Sequence, residues 1–134
     1  MKTLFVCAAA LALGACAAEP APLGPSIATS DAPGLSSAAI LDVISGNTGV
    51  GTMSGSTVTY AMYVAPDGTA QARLPTGTDT GNWRLTSDGQ WCVNWKLFRN
   101  GEEYCQRVYR DGKGYKFVNA SSEELLVFAP GKRF

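Results

Sequence analysis

Apolar residues follow two different periods along this chain. Between Ser36 and Ser45 the spacing is helical, with Ile40, Leu41 and Ile44 on one face. Ser36 suits the N-cap, Leu35 and Ile40 occupy the two positions of a hydrophobic staple, and Gly46 stops the turn. From Thr48 onward the period becomes two. Val58, Tyr60, Met62 and Val64 alternate with Thr57, Thr59, Ala61 and Tyr63, and Pro66-Asp67-Gly68 then turns the chain. Ala70, Ala72 and Leu74 alternate on the next segment, a polar loop follows from Pro75 to Gly81, and Trp83 and Leu85 begin another strand. Trp91, Val93, Trp95 and Leu97 alternate after the Asp88-Gly89 turn, and Asn100-Gly101 carries the strongest hairpin signal. Glu103–Arg110, Tyr115–Asn119 and Leu125–Ala129 complete the set. With Thr48–Met53 this predicts an all-β domain: about eight short strands and one short N-terminal helix. The strands form an antiparallel up-and-down meander, closed as a small barrel or folded as a sandwich.

The segment ahead of the helix is of another kind. Residues 1–15 carry one cation and an apolar run too short to span a bilayer, which fits a signal peptide. Leu13-Gly14-Ala15-Cys16 resembles the bacterial lipobox, so Cys16 is the expected lipidation site and new N-terminus. The competing expectation is an ordinary secretory signal, cleaved near Ala15-Cys16-Ala17 and releasing a soluble periplasmic or secreted protein. By resemblance to enteric sorting rules, Ala17 directs a lipidated chain to the outer membrane rather than the inner. Residues 17–35 are rich in Ala, Pro, Gly and Ser without periodicity, and read as a tether with a reach of about 25 Å. The expected organisation is therefore a signal peptide (1–15), a lipidated cysteine with its tether (16–35), and a β domain (36–134).

Composition narrows the chemistry. The 134 residues contain no histidine, which excludes Ser-His-Asp and Cys-His catalytic units and any imidazole metal site. Eleven basic residues balance eleven acidic ones, so no charge excess recruits nucleic acid. Asp67, Asp88 and Asp111 each precede a glycine, as turns require, and the adjacent pairs Glu102-Glu103 and Glu123-Glu124 would face opposite ways on a strand. No cofactor motif is present, and none is expected to bind.

Cys7 leaves with the leader and Cys16 takes the lipid, which leaves Cys92 and Cys105 in an oxidising compartment. A two-residue Asn100-Gly101 turn would set Cys92 opposite Tyr109 and Cys105 opposite Lys96. The sulfurs would then lie about 13 Å apart, whereas a disulfide needs Cα atoms within about 7 Å. Either the hairpin is longer or bulged and the bond forms, or the thiols stay free. The compartment favours the bond, and with it a different register.

Taken in order, Ser45-Gly46-Asn47-Thr48, Tyr60–Gly68, Gly81-Asn82-Trp83-Arg84, Asp88-Gly89-Gln90-Trp91-Cys92 and Cys105-Gln106-Arg107-Val108-Tyr109 resemble a secreted single-domain family of unknown function from Proteobacteria. The resemblance spans residues 36–130 and implies fold and compartment, not an activity. Gly81-Asn82-Trp83 also resembles the lipocalin-like Gly-x-Trp signature, although there it lies on the first strand. Gly81–Leu85 with Cys92 resembles small periplasmic barrels that inhibit secreted metalloproteases, in which an N-terminal trunk, here residues 17–35, inhibits.

Aromatic and cationic residues interleave in the C-terminal half. Arg107, Tyr109, Arg110, Tyr115 and Lys116 are the candidate binding surface, against the plainer expectation of strand alternation with one solvated face. The expectation is a non-enzymatic envelope lipoprotein, anchored to the membrane through Cys16, that binds a partner protein or a small envelope ligand. A periplasmic protease inhibitor and a structural or stress-related envelope component are the alternatives.

Overall fold

The computed structural model describes residues 33–134. The expected signal peptide, Cys16 and the expected tether up to residue 32 lie outside the described residues. Helix α1 (Ser37–Ile44) precedes eight strands: β1 (Asn47–Thr52), β2 (Thr59–Val64), β3 (Thr69–Leu74), β4 (Gly77–Leu85), β5 (Gln90–Trp95), β6 (Tyr104–Asp111), β7 (Gly114–Val118) and β8 (Glu123–Pro130). Each strand pairs antiparallel with the next, and β1 pairs with β8, so the sheet is a closed up-and-down barrel rather than a sandwich.

The helix forms as its residues dictate. Ser36 Oγ accepts from the amide of Ala39 at 3.2 Å, and the Ser45 amide donates to the Leu41 carbonyl. Ile40 and Ile44 are fully buried, but Leu41, expected on the same face, is exposed because only one narrow stripe meets the barrel. Leu35, expected in the tether, already belongs to the domain: its amide donates to the Val108 carbonyl at 2.8 Å. Ser37 Oγ donates to the Thr86 carbonyl. The helix therefore packs at the end of the barrel that carries the β2–β3 and β4–β5 turns.

Inward parity runs through Met62 and Val64, Ala70 and Ala72, Trp91, Val93 and Trp95, Val108, Phe117 and Leu126, which together with the helix isoleucines form the core. An eight-stranded barrel has an interior just wide enough to be filled by side chains. Large side chains on one strand therefore require small residues beside them on the strand it pairs with. A Cβ on Gly49 would lie 2.8 Å from the Phe128 ring, and one on Gly51 would lie 2.5 Å from the Leu125 carbonyl oxygen. Gly81 makes room for Trp95 in the same way, and Trp91 meets Phe117 edge-on with ring centroids 5.4 Å apart.

Two strand boundaries differ from the sequence pattern. The Pro75–Gly81 segment is mostly strand: β4 begins at Gly77 after a two-residue turn, with Leu74 opposite Gly77. Its inward positions, Asp79 and Gly81, carry no apolar side chain, which concealed the alternation. The β5–β6 connection is also longer than a two-residue turn. Asn100-Gly101 sits inside a 3-10 turn (Phe98–Gly101) within a loop that runs from Lys96 to Glu103, and Leu97 leaves the strand and is 71% exposed. The longer loop sets Cys92 opposite Cys105, and the two form a disulfide with Cα atoms 4.0 Å apart. The bond forms because the short-turn register does not.

Gly51→Ala is expected to lower the unfolding free energy by about 1–3 kcal/mol, since its methyl group meets backbone that cannot swing away. Val50→Ala, one residue away and facing out, should change it by less than about 0.5 kcal/mol. Urea unfolding followed by tryptophan fluorescence checks both.

Candidate functional site

The two ends of the barrel are unlike. Helix α1 covers one; the other carries the β1–β2, β3–β4, β5–β6 and β7–β8 connections and opens into a cavity of about 50 Å³. Tyr60, Met62, Trp91, Trp95, Phe98 and Tyr104 contribute to its wall. Two carboxylates, Asp79 and Glu124, reach the same cavity from opposite sides of the strand order. Pockets for whole small-molecule ligands measure about 300–1,000 Å³, so this one has room for a single chemical group.

The two carboxylates do different work. Asp79 is buried on β4, and both of its oxygens are committed to the backbone of the β5–β6 loop. Its Oδ2 accepts from Leu97 N at 3.1 Å and from Phe98 N at 3.0 Å, while Oδ1 accepts from Leu97 N at 3.2 Å and from its neighbour Thr80 N on β4 at 2.8 Å. Asp79 therefore clamps the loop that forms one lip of the mouth. Glu124 on β8 is less committed. It accepts a long bond of 3.3 Å from Gln106 Nε2, and among the described residues no lysine or arginine forms an ion pair with it. Burial pushes the Glu124 carboxyl above the ordinary glutamate value of 4.5, against the hydrogen bonds from Gln106 and Tyr60 and the charge of Arg99.

The phenols around Glu124 share its environment. Burial first, and the nearby carboxylate second, hold the Tyr60 hydroxyl far above the usual phenol range. The Tyr104 hydroxyl, which accepts from Trp95 Nε1 at 3.0 Å, is pushed up to about 12 by burial. Both phenols stay neutral at any physiological pH. Below them, Gln106 Oε1 and Trp91 Nε1 are buried without a partner among the described residues, each at a cost of about 1–3 kcal/mol.

Arg99 stands at the lip. Its guanidinium lies 4.4 Å from the Tyr104 ring centroid and 5.7 Å from that of Phe98, both within cation–π range. Reaching there takes unusual backbone: Arg99 and Asn100 have φ of 54° and 55°, followed by Gly101 at 78°. Left-handed conformation costs about 1–2 kcal/mol for a residue with a Cβ, and the Asp79 clamp holds the loop in which it occurs. Leu97, Phe98 and Val58 are exposed, Leu97 and Phe98 on this loop and Val58 on the β1–β2 connection.

The residues expected to form a binding surface are divided by strand parity. Arg107, Tyr109 and Lys116 share the outward parity of β6 and β7, whereas Arg110 and Tyr115 share the parity of buried Val108 and Phe117. Arg107 is bonded to the Asp88 carbonyl at 2.9 Å and Lys116 to Glu123 at 3.3 Å, while Arg110 lies 5.4 Å from the Tyr115 ring centroid. These cations thus have intramolecular partners at the wall and at the helix-covered end, away from the mouth. Of the mouth residues, Asp79 and Tyr104 belong to no pattern singled out in the sequence; Arg99 falls in the C-terminal interleaving of aromatic and cationic residues, and Glu124 enters only as one of an adjacent glutamate pair facing opposite ways. A signal for two of them was present: a carboxylate on the inward parity of a strand, with Glu124 in line with Leu126 and Phe128, and Asp79 with Gly81 and Trp83.

Comparison of the chain with family models, with curated proteins and with solved structures returned no match. The arrangement itself defines a small closed barrel with one covered end and one aromatic, carboxylate-bearing mouth.

Two outcomes follow. Because the folded state raises the Glu124 pKa, this group contributes stability that is present below about 4.5 and lost as pH rises through the folded value. Glu124→Gln is therefore expected to gain stability relative to the wild type as pH rises towards neutrality, read by urea midpoints across the pH range. Asp79→Ala should release the Leu97 and Phe98 amides to fast hydrogen exchange and cost about 1–3 kcal/mol.

Proposed function

We propose that this protein is a non-catalytic binding module of the bacterial envelope, held to the membrane by a lipid on Cys16, that engages a partner protein through its open mouth. The observation that carries this reading is a cavity of about 50 Å³ behind an apolar rim in which Leu97 is 71% exposed. A cavity of that size accepts one side chain and not a whole small ligand, and exposed apolar side chains at a rim suit the core of a protein interface. Catalysis is disfavoured on two counts. The chain lacks histidine, and Asp79 gives its carboxylate to backbone amides, so the mouth offers no free acid–base pair. The lipobox-like Leu13-Gly14-Ala15-Cys16 and the tether after it support the envelope setting, with the outer membrane favoured by Ala17.

A photo-crosslinking residue placed at Leu97 in living cells tests the reading, with one at outward-facing Gln71 on the barrel wall as control. A discrete protein adduct is expected from the rim position alone, on a chain whose mass shows acylated Cys16. Adducts that form equally at both positions, or at neither, would count against the mouth as the binding site. An unacylated N-terminus would remove the anchor.

A further inference from the structure

Resting on that reading, we infer that the mouth recognises a cationic side chain of the partner, a lysine ammonium or an arginine guanidinium, and that Arg99 is the tethered cation it displaces. Three independent features converge on positive charge. Glu124 presents a carboxylate to the cavity, and no lysine or arginine pairs with it among the described residues. Tyr60, Trp95, Phe98 and Tyr104 surround the same space, and aromatic rings attract cations through their quadrupoles. The chain has already placed a cation at the entrance: the Arg99 guanidinium, 4.4 Å from the Tyr104 ring centroid and exposed to solvent above.

The same groups argue against an anion, which would meet the Glu124 and Asp79 carboxylates that line the cavity. They also argue against a purely apolar anchor, which would seal the Glu124 carboxylate from water with neutral hydrogen-bond donors but no countercharge. A cavity of about 50 Å³ fits the head of one side chain, with its stem passing the apolar rim of Leu97 and Phe98. Among the described residues Arg99 makes no ion pair: the two rings hold it, with a longer-range attraction to Glu124. It reaches the rings through two consecutive residues at φ of 54° and 55°, so an incoming cation that pairs with Glu124 replaces it without breaking an ion pair.

Glu124 faces Tyr60 from β2, Asp79 from β4, Tyr104 and Gln106 from β6 and Arg99 from the 3-10 turn. The two phenols remain protonated across the accessible range, so the carboxylate itself sets the pH response. Cation binding favours its ionised form, and affinity is expected to rise with pH.

The test uses the nitrogen-labelled full chain and three probes: the N-acetyl, N-methylamide derivatives of lysine, arginine and norleucine, the last a neutral match for lysine. The indole N–H resonances of Trp91 and Trp95 report occupancy. Both cationic probes are expected to shift them saturably, with norleucine about tenfold weaker. Arg99→Ala, on the exposed turn and independent of the core, should tighten the lysine probe about threefold or more by removing the competitor. Glu124→Gln, in a chain whose spectrum remains that of the folded barrel, should weaken it about tenfold and abolish the pH dependence. Norleucine binding as well as lysine, or no tightening in Arg99→Ala, would overturn the inference. A rim-specific cross-link at Leu97 alongside such a failure would leave the binding-module reading standing and remove only its cationic ligand.

Discussion

Pairing of β1 with β8 is the constraint on which the rest of this molecule depends. Five residue pairs, from Asn47 opposite Pro130 to Gly51 opposite Leu126, turn a meander with two open edges into a barrel with none. Closure fixes the interior volume, and the sequence meets that volume by pairing glycine with large apolar side chains. Gly49 faces Phe128, Gly51 faces Leu126 and Gly81 faces Trp95. The C-terminal segment secures the seam from outside. Thr48 Oγ1 donates to the Gly131 carbonyl at 2.7 Å and accepts from Arg133 N at 3.1 Å, which explains why an outward-facing threonine is buried.

A barrel of this size leaves its two ends to be dealt with separately, and the chain treats them differently. At one end a short helix inserts Ile40 and Ile44, cheap to order because Ser36 caps it and its following loop is a single turn at Gly46. At the other end no helix is available, and the fill comes from aromatic residues on β2, β5 and β6 with a polar cluster among them. The Asp79 clamp holds the β5–β6 loop and the Cys92–Cys105 bond ties the two strands that flank it, so the left-handed turn at Arg99 and Asn100 rests on a rigid base. Strained backbone persists only where its surroundings over-determine it, and here those surroundings are the mouth itself.

Period-two alternation made most of the fold legible. β2, β3, β6 and β7 fall within a residue or two of their pattern, and the Ser36 cap and Gly46 stop mark the helix. Where the pattern failed, a tertiary reason is visible. β4 begins early because its inward positions are Asp79 and Gly81, which do not look like core. Asn100-Gly101 does not make the tight hairpin because Asp79, 18 residues before Leu97, captures the amides of the loop. Local periodicity places Leu41 and Leu97 on apolar faces, but both are exposed because neither meets a partner surface.

Sequence alone determined the class of the domain, its strand count and the residues that would share a face, because alternation and turn chemistry are local. It also pointed to Cys92 and Cys105 as a pair, since the other two cysteines lie in the expected leader and at the expected lipidation site. Only the tertiary structure decided barrel over sandwich, since both need the same alternation and differ only in whether β1 reaches β8. It alone brought Tyr60, Asp79, Arg99, Tyr104 and Glu124 to one end, because strands that rise and fall around a barrel deliver every second connection to the same rim. Those five residues are spread over 65 positions of sequence, and no spacing rule links them; the path of the sheet does.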